Sequence, residues 1–274
     1  MAGCSPDSVH STLDKYILAD GYEFVVDLDR SHGSRLYDSR ADREILDMFS
    51  CFSSLPIGWN HPKLVDMEPR LGRIAVNNIT NSDLYSIEMA DAIDTIGRIA
   101  KPDHMSHMFF IAGGALGVEN SLKAAMDWKQ QDRSRKGLPG DDGHPEVSIA
   151  HFEEAFHGRT GYTMSLTNTD PTKTDRFAKF DWPRIPNPKI RFPLDEAESS
   201  RLAGAESEAI ESLHAAAEAN PDQIAAVIIE PIQGEGGDNH FRPQFLQELE
   251  RATHDVGALF IVDEVQTGVG GTGK

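Results

Sequence analysis

Cysteine is scarce in this sequence: only Cys4 and Cys51 occur among 274 residues. Two thiols cannot build a disulfide framework or a zinc cluster, so a secreted, disulfide-stapled protein is excluded and a reducing compartment is favoured. Long apolar runs are also missing, and the N-terminal residues MAGCSPDS lack the apolar stretch of a secretory signal. We therefore expect a cytoplasmic protein that has no membrane as a partner.

Basic residues are outnumbered by acidic ones. Lysine and arginine total 26 against 44 aspartates and glutamates, which gives a formal net charge of -18. Such a surface repels the phosphates of nucleic acids and of anionic membranes, so we expect neither as a partner. The hydrophobic content of 39% and the charged content of 26% are typical of a globular protein with a large core.

The common nucleotide fingerprints are absent, although a glycine-rich turn is present. Gly113 to Gly117 does not match G-x-G-x-x-G, and no Gly-Lys-Ser/Thr closes the loop. The turn lies between a predicted buried strand, Met108 to Ala112, and a helix with an apolar face at Val118, Leu122 and Ala125. Free N–H groups at the start of such a helix suit a phosphate. A tight turn that only permits close packing fits the same residues, so both interpretations stay open here.

The C-terminal part of the sequence predicts a strand, a helix and a second strand. Ile224 to Ile229 and Ala258 to Val262 are apolar runs, and the segment between them has helical spacing. The strands end in acidic residues, Glu230 in the first case and Asp263 with Glu264 in the second. In such a unit the strands are parallel, and ligands bind beyond their carboxyl ends. We therefore expect the functional site near these acidic residues.

Further strands complete the predicted fold. A buried strand is expected at Val147 to Phe152, after a polar surface loop from Asp132 to Pro145. Near the N-terminus, strand-like pieces at Phe24 to Leu28, Arg35 to Tyr37 and Ile45 to Phe49 predict an antiparallel meander. The sequence thus indicates an α/β protein with a mostly parallel sheet flanked by helices, preceded by a small α+β subdomain.

Proline and glycine mark the predicted linkers. The segment SSLPIGWNHP is a plausible hinge, so residues 1–75 are predicted as the N-terminal part of a small domain with its hinge. Residues 76–274 are predicted as a larger ligand-binding domain. The irregular stretch from Asp170 to Pro193 is expected to be a functional loop, and the segment from Asp195 to Asn220 an outer, solvated helix.

Four motifs, in this order, resemble those of the class III aminotransferases. They are AGGALGVENSLK at Ala112 to Lys123, FHGR at Phe156 to Arg159, EPIQGEGG at Glu230 to Gly237 and VDEVQTG at Val262 to Gly268. That family uses pyridoxal 5'-phosphate on the fold type I scaffold. Within it, the segments RSHGSRLYD, FSSLPIGWNHP, GGALGVENSLKAAMDWK and FHGRTGYTMSLTNTDP look most like the L-lysine 6-aminotransferases. The resemblance extends from about Gly21 to Lys274.

The resemblance implies a set of cofactor-binding residues: Gly114, Ala115, Phe156, His157, Asp263 and Gln266. In the implied roles, Gly114 and Ala115 cradle the phosphate, and Phe156 stacks on the pyridine ring. Asp263 keeps the ring nitrogen protonated so that the ring accepts electrons, and Gln266 hydrogen-bonds the phenolic oxygen. The larger domain would then be the domain that binds pyridoxal phosphate.

Two further residues acquire substrate-binding roles from the resemblance. Arg159 would hold the α-carboxylate of L-lysine, which leaves the ε-amine free to meet the cofactor. Glu235 would be a switch glutamate that pairs with a distant arginine when lysine binds and releases it for the second substrate. The implied reaction moves the ε-amino group of L-lysine to 2-oxoglutarate and gives a semialdehyde and L-glutamate. A homodimer is expected for the full-length enzyme.

The sequence departs from the family in one respect. The resemblance places the Schiff-base lysine beyond Lys274, which itself lies in the preceding glycine-rich loop, so no catalytic residue is assigned. We therefore expect an N-terminal fragment that lacks the C-terminal part of the fold and is inactive. The alternatives are an aminotransferase for ornithine, 4-aminobutyrate or another ω-amine, and a non-catalytic dimer partner or binding remnant. A nicotinamide oxidoreductase is disfavoured because the glycine pattern does not fit.

Overall fold

The computed structural model describes residues 4–77, 83–138 and 147–273. The helices found in these ranges are α1 (Val9–Leu13), α2 (Pro62–Val65), α3 (Glu68–Ala75), α4 (Ile87–Ile99), α5 (Gly114–Arg135), α6 (Thr163–Leu166), α7 (Pro171–Thr174), α8 (Glu196–Ala219) and α9 (Pro243–Asp255). The strands are β1 (Arg35–Asp38), β2 (Arg43–Leu46), β3 (Ser148–Phe152), β4 (Arg184–Ile185), β5 (Ile224–Ile229), β6 (Ile232–Gln233), β7 (Asn239–His240) and β8 (Leu259–Val262). A 3₁₀ turn at Pro6–Ser8 precedes α1.

The chain divides into two compact units. The first comprises Met1–Met108 with Val269–Lys274, and the second comprises Phe109–Gly268. A domain boundary between residues 75 and 76 stays a prediction. The described part of the chain contains no helix that is both long and apolar enough to cross a bilayer.

The first unit contains a small antiparallel sheet in which β1 pairs with β2. The predicted strand Phe24 to Leu28 contributes only an isolated bridge between Val26 and Asp38, so the meander is shorter than expected. A turn at Asp27 explains the difference, because its Oδ1 accepts hydrogen bonds from the N–H groups of Asp29 and Arg30. The chain therefore leaves the sheet after one paired residue.

The second unit is organised around a parallel sheet with the strand order β4-β3-β5-β8. The predicted strands at Val147 to Phe152, Ile224 to Ile229 and Ala258 to Val262 are confirmed as β3, β5 and β8, each within one residue. Strand β5 is buried at every position, as expected for the interior of a parallel sheet. Glu230 and Asp263 follow directly after β5 and β8, so both lie at the carboxyl edge.

From Ala226 to Ile229, successive residues of β5 alternate between two apolar layers. Val227 and Ile229 pack in the layer that includes residues of α8 and α9, whereas Ala226 and Ile228 pack in the layer that includes residues of α5. The three helices thereby cover both faces of the sheet. Fully burying one leucine or isoleucine side chain contributes about 1.5 to 3 kcal/mol, so the two layers fix the strand ends.

One predicted strand was wrong. Met108 to Ala112 forms no strand, and the side chains of Phe109, Phe110 and Ile111 are 71%, 52% and 44% exposed. An apolar run becomes a strand only when another strand hydrogen-bonds to it, and none of the described strands pairs with this segment. Conversely, the short strand β4 occurs inside the segment for which only an irregular loop was expected. Pro183 and Pro186 flank it, which limits its length.

Helix α5 is longer than the sequence indicated. It continues to Arg135, so the predicted loop does not begin at Asp132, and residues 139–146 of that loop lie outside the described residues. The C-terminal end of α5 is tied to the segment that precedes β5. The Nη1 of Arg133 donates to the carbonyl of Asp222 at 3.2 Å, and Nζ of Lys136 lies 2.6 Å from its Oδ1. These contacts hold the helix along the sheet, with its N-terminus at the carboxyl edge.

Candidate active site

The N-terminus of α5 forms one wall of the candidate site. Gly113 is the N-cap residue, with φ 94° and ψ 145°, and its lack of a side chain leaves the first turn of a 22-residue helix without a side-chain cap. A Cβ on Gly114 would lie 2.8 Å from the side chain of Val265, so only glycine allows this approach to the segment after β8. Uncapped N–H groups and the positive end of the helix dipole together favour a bound anion.

The loop after β3 packs closely against this helix end. Gly158 has φ 108°, and a Cβ there would lie 2.5 Å from the Cβ of Ala115. Glu119 in α5 fastens the loop, because its Oε2 accepts from Thr160 Oγ1 at 2.6 Å and from Tyr162 N at 3.1 Å. The close approach and the two hydrogen bonds fix Phe156 to Arg159 beside the start of α5.

Both carboxylate oxygens of Asp263 have hydrogen-bond partners within the protein itself. Its Oδ2 lies 2.7 Å from Nδ1 of His157, and its Oδ1 accepts from the N–H of Val265 at 3.1 Å. Both side chains of the His157–Asp263 pair are buried. An ionised carboxylate only accepts hydrogen bonds, so in a contact with ionised Asp263 the donor is the Nδ1–H group of His157. The Nε2 atom of the same ring is buried and has no hydrogen-bond partner within the described residues.

Glu230 is a second buried carboxyl group at the same sheet edge. Burial raises the pKa of Glu230 to about 7, and the proximity of His157 and the N–H of Phe156 oppose this shift. The Phe156 N–H donates to its Oε1 at 2.9 Å. Sequence reasoning marked Glu230 only as the end of a strand and part of a motif. Its position directly after a fully buried strand was the available signal for a shifted carboxyl group.

The wall next to Gln266 depends on another glycine. A Cβ on Gly234 would lie 2.0 Å from Oε1 of Gln266, so the Gln266 amide lies directly against the Gly234 backbone. This contact joins the segment after β6 to the segment after β8. Gln266 is thereby positioned on the same side of the sheet as Asp263.

These elements surround a cavity of about 420 Å³, a size typical of small-ligand sites. Its lining consists of Gly114, Ala115, Phe156, His157, Gly158, Arg159, Thr160, Glu230, Ile232, Asp263, Val265, Gln266 and Thr267. Every cofactor-binding residue predicted from the sequence is therefore present, together with Arg159. The Arg159 side chain is exposed, and none of the ion pairs of the described chain involves it.

Glu235 is the exception among the predicted site residues. It does not line the cavity, and its carboxylate instead forms an ion pair with Lys173 on α7. No sequence pattern indicates this partner, which lies 62 residues away along the chain. Within the described residues, no group of three or more His, Cys, Asp or Glu side chains could hold a metal ion.

Comparison with known proteins gives the same family as the four motifs. The family described as Aminotransferase class-III matches residues 17–274. The L-lysine-epsilon aminotransferase of Mycobacterium tuberculosis is 47% identical over 98% of this chain and 59% of its own length. The human mitochondrial 4-aminobutyrate aminotransferase is 32% identical over 93% of this chain and 54% of its own length.

A solved structure of the M. tuberculosis lysine aminotransferase, in the internal aldimine form, has a TM-score of 0.90 and 46% identity. The match covers 97% of this chain and 60% of that one, so the chain spans about 60% of the length of this relative. The family match over residues 17–274, the parallel sheet and the cavity at its carboxyl edge agree. The chain belongs to the class III aminotransferases.

Proposed function

We propose that the enzyme carrying this sequence transfers the ε-amino group of L-lysine to 2-oxoglutarate and releases a semialdehyde and L-glutamate. Pyridoxal 5'-phosphate is the cofactor of class III aminotransferases. The observation that carries the proposal is an exposed arginine, Arg159, in the cavity that also contains Asp263. The identity of 47% to a lysine enzyme, against 32% to a 4-aminobutyrate enzyme, supports lysine as the donor.

The cavity residues fit the cofactor. The uncapped start of α5 at Gly114 and Ala115 suits its phosphate, since a side chain at position 114 would fill the space beside Val265. The ring of Phe156 offers an aromatic face, and the Asp263 carboxylate suits a protonated ring nitrogen. When bound, pyridoxal phosphate supplies an aldehyde that reacts with amines and a ring that accepts electrons. The protein's part is to bind and orient the cofactor and to keep its ring nitrogen protonated.

Arg159 supports the choice of a substrate with a carboxylate far from its reacting amine. A guanidinium binds a carboxylate through two parallel hydrogen bonds, and this one is not occupied by an ion pair in the described chain. Holding the α-carboxylate at Arg159 directs the other end of lysine towards the cofactor. The ε-amine, rather than the α-amine, then reacts.

The lysines of the described ranges lie away from the cavity. Lys129 is buried and donates to the carbonyl of Gly257, while Lys173 and Lys189 pair with Glu235 and Glu154. None of the described lining residues is a lysine. We therefore assign to the described residues the binding and orientation of the cofactor, and not the amine that the family uses to hold it covalently.

The remaining parts of the proposal concern the setting of the enzyme. A cytoplasmic location agrees with two free cysteines, Cys4 and Cys51. A homodimer is proposed for the complete enzyme.

A donor panel tests the proposed reaction. The enzyme is assayed with L-lysine, L-ornithine and 4-aminobutyrate as donors and 2-oxoglutarate as the acceptor. L-Ornithine is one methylene shorter than lysine, a difference that changes kcat/KM by roughly 10- to 200-fold in a fitted pocket. We expect L-lysine to have the highest kcat/KM by such a factor. An equal or higher value for ornithine or 4-aminobutyrate would overturn the assignment of the donor.

A further inference from the structure

Glu119 is a buried acidic residue on α5 that has no basic partner in the described part of the chain. It is 9% exposed, and it belongs to none of the ion pairs of residues 4–77, 83–138 and 147–273. Burying a carboxyl group is unfavourable unless hydrogen bonds or an opposite charge compensate for the lost water. The role of Glu119 therefore lies in the hydrogen bonds that it accepts.

Those hydrogen bonds join two elements of the candidate site. One oxygen of Glu119, Oε2, accepts from Thr160 Oγ1 at 2.6 Å and from the N–H of Tyr162 at 3.1 Å. Glu119 lies on α5, which begins at Gly114 and whose first turn suits the cofactor phosphate. Thr160 directly follows Arg159 in the chain. One side chain thus ties the loop that carries the arginine to the helix that suits the phosphate.

The other hydrogen bonds of this loop come from its own segment of the chain. Thr167 Oγ1 accepts from the N–H of His157 at 3.0 Å and donates to the carbonyl of Gly158 at 2.6 Å. Thr163 Oγ1 accepts from the N–H of Thr160 at 2.9 Å. Both threonines are buried, so these bonds hold the shape of the loop. They do not set its distance from α5.

The separation between the loop and α5 is limited in both directions. Towards the helix, the Gly158 backbone already lies against Ala115, since a Cβ added to Gly158 would lie 2.5 Å from the Cβ of Ala115. Movement away from the helix would break the two hydrogen bonds of Glu119. Arg159 lies between Gly158 and Thr160, so its backbone is held at a fixed distance from the start of α5.

We propose that Glu119 is a specificity-determining residue, which selects the chain length of the amine donor by positioning Arg159 relative to the cofactor. The inference rests on the proposed function, in which Arg159 holds the α-carboxylate and the start of α5 holds the cofactor phosphate. Glu119 does not line the cavity, so it is a positioning residue. The two ends of the donor are fixed by the two elements that Glu119 joins.

Loss of the two hydrogen bonds should affect donors of different length unequally. While the loop is fixed, a misfit of one methylene lowers kcat/KM by roughly 10- to 200-fold. A loosened loop allows the guanidinium of Arg159 to move towards a shorter donor, and it no longer aligns the longer donor with the cofactor. The ratio of the two kcat/KM values should therefore fall.

The test compares L-lysine with L-ornithine on the complete enzyme and on Glu119→Leu, which keeps a similar volume but accepts no hydrogen bond. We expect kcat/KM for lysine to fall by roughly 10- to 100-fold, the effect of a displacement of about 1 Å. The value for ornithine should change less, so the lysine-to-ornithine ratio should fall by about 10-fold. In Glu119→Gln the amide oxygen can accept both hydrogen bonds, so this variant should restore the ratio.

Glu206→Leu is the matched control for a general loss of stability. Glu206 is a second buried glutamate, and its Oε1 accepts from Nε of Arg242 at 2.9 Å. Neither Glu206 nor Arg242 lines the cavity. This substitution should destabilise the protein and leave the lysine-to-ornithine ratio unchanged. An equal fall of the ratio in both leucine variants would overturn the inference, because destabilisation alone would then alter selectivity.

Hydrogen exchange of the cofactor-free enzyme gives a readout that does not require turnover. The amide of Tyr162 donates to Glu119, so a peptide that contains Tyr162 should exchange faster in Glu119→Leu than in the unsubstituted enzyme. Glu119→Gln should exchange at the unsubstituted rate, and peptides from β5 should be unchanged in all variants. If Glu119→Leu does not fold, Thr160→Val removes the shorter of the two hydrogen bonds and provides the same comparison.

Two further results would overturn the inference. An unchanged lysine-to-ornithine ratio despite faster exchange of the loop would mean that the loop position does not select the donor. An equally low ratio in Glu119→Gln would mean that the charge of Glu119, and not its hydrogen bonds, sets the selectivity. A failure of the proposed function is distinguishable from both, because the unsubstituted enzyme would then show no preference for lysine.

Discussion

The Nδ1 atom of His157 lies 2.7 Å from Oδ2 of Asp263, and both side chains are buried at the carboxyl edge of the parallel sheet. The N–H of Val265 satisfies Oδ1 of the same carboxylate at 3.1 Å. Two donors from separate loops thus fix the orientation of Asp263. His157 lines the cavity as well, and we expect it to act on a bound cofactor by positioning Asp263.

Substitution of His157 should separate this hydrogen bond from simple packing. In His157→Leu the buried carboxylate loses a donor, which costs about 1 to 3 kcal/mol and should weaken pyridoxal phosphate binding by roughly 5- to 150-fold. In His157→Asn the side-chain amide can donate in place of Nδ1, so most of the affinity should return. Cofactor titration by absorbance measures both variants, with thermal unfolding of the cofactor-free protein as a second readout. Equal losses in the two variants would show that shape, and not the donor, matters.

Glu230 should make stability depend on pH. Its pKa rises from an ordinary value of 4.5 to about 7 on folding, so the folded state binds more protons than the unfolded state between these values. The contribution is fully present below about pH 4.5 and is lost as the pH rises through about 7. Glutamine does not titrate, so the free energy of unfolding relative to Glu230→Gln should fall by on the order of 3 kcal/mol over this window. Denaturant unfolding of both proteins at a series of pH values measures the difference. A difference that stays constant or grows with pH contradicts the burial of this group.

The close approach of Gly158 to the start of α5 predicts a strong effect of a single methyl group. In Gly158→Ala the new Cβ would lie 2.5 Å from that of Ala115, at a φ of 108° that alanine rarely adopts. We expect a loss of about 1 to 3 kcal/mol of stability. Cofactor binding should also weaken, because the start of α5 at Gly114 and Ala115, which suits the phosphate, is displaced.

Gly117→Ala is the control for that substitution. Gly117 lies in α5, the helix that Gly158 approaches, and no atom outside the helix backbone would lie within 4 Å of a Cβ added to Gly117. This change should be neutral or stabilise the helix by about 0.5 to 1 kcal/mol. Similar behaviour of the two alanine variants would refute the close packing at Gly158.

Arg159 should matter for substrate and not for cofactor. Arg159→Gln removes a charge-assisted contact to the α-carboxylate. The kcat/KM for lysine should fall by an amount that corresponds to about 2 to 5 kcal/mol of lost transition-state stabilisation. Arg176→Gln is a matched control, because Arg176 is exposed and does not line the cavity. Steady-state kinetics and cofactor titration on both variants give the comparison. Unchanged kinetics with lysine in Arg159→Gln would show that Arg159 does not bind the substrate carboxylate.

The sequence predicted the parts of the site that depend on strand ends and glycine turns. Glu230 and Asp263 follow apolar runs that are long enough to be buried strands, and parallel strands bring their carboxyl ends to one edge. The glycine turn before α5 was a candidate phosphate site from its pattern, and the resemblance to class III aminotransferases is what implied that role for Gly114. These features are local, so the residues beside them in the chain determine them.

Features set by distant residues were predicted less well. Met108 to Ala112 has the composition of a strand, but strand formation depends on a hydrogen-bonding neighbour elsewhere in the chain. The direction of the Glu235 side chain depends on Lys173, and the glycine-rich motif around position 235 carries no information about that lysine. The hydrogen bond between His157 and Asp263 likewise joins residues 106 positions apart. Such pairings follow from the packed fold and not from local periodicity.

The most direct test of the proposed reaction follows the nitrogen atom that is transferred. The complete enzyme is incubated with 2-oxoglutarate and L-lysine that carries ¹⁵N only at the ε position, and the L-glutamate formed is analysed by mass spectrometry. We expect the label to appear in glutamate, while the lysine-derived semialdehyde cyclises to a six-membered imine. Unlabelled glutamate, formed together with a 2-oxo acid that retains the ε-¹⁵N, would show α-amino transfer and contradict the proposed ε-amino transfer.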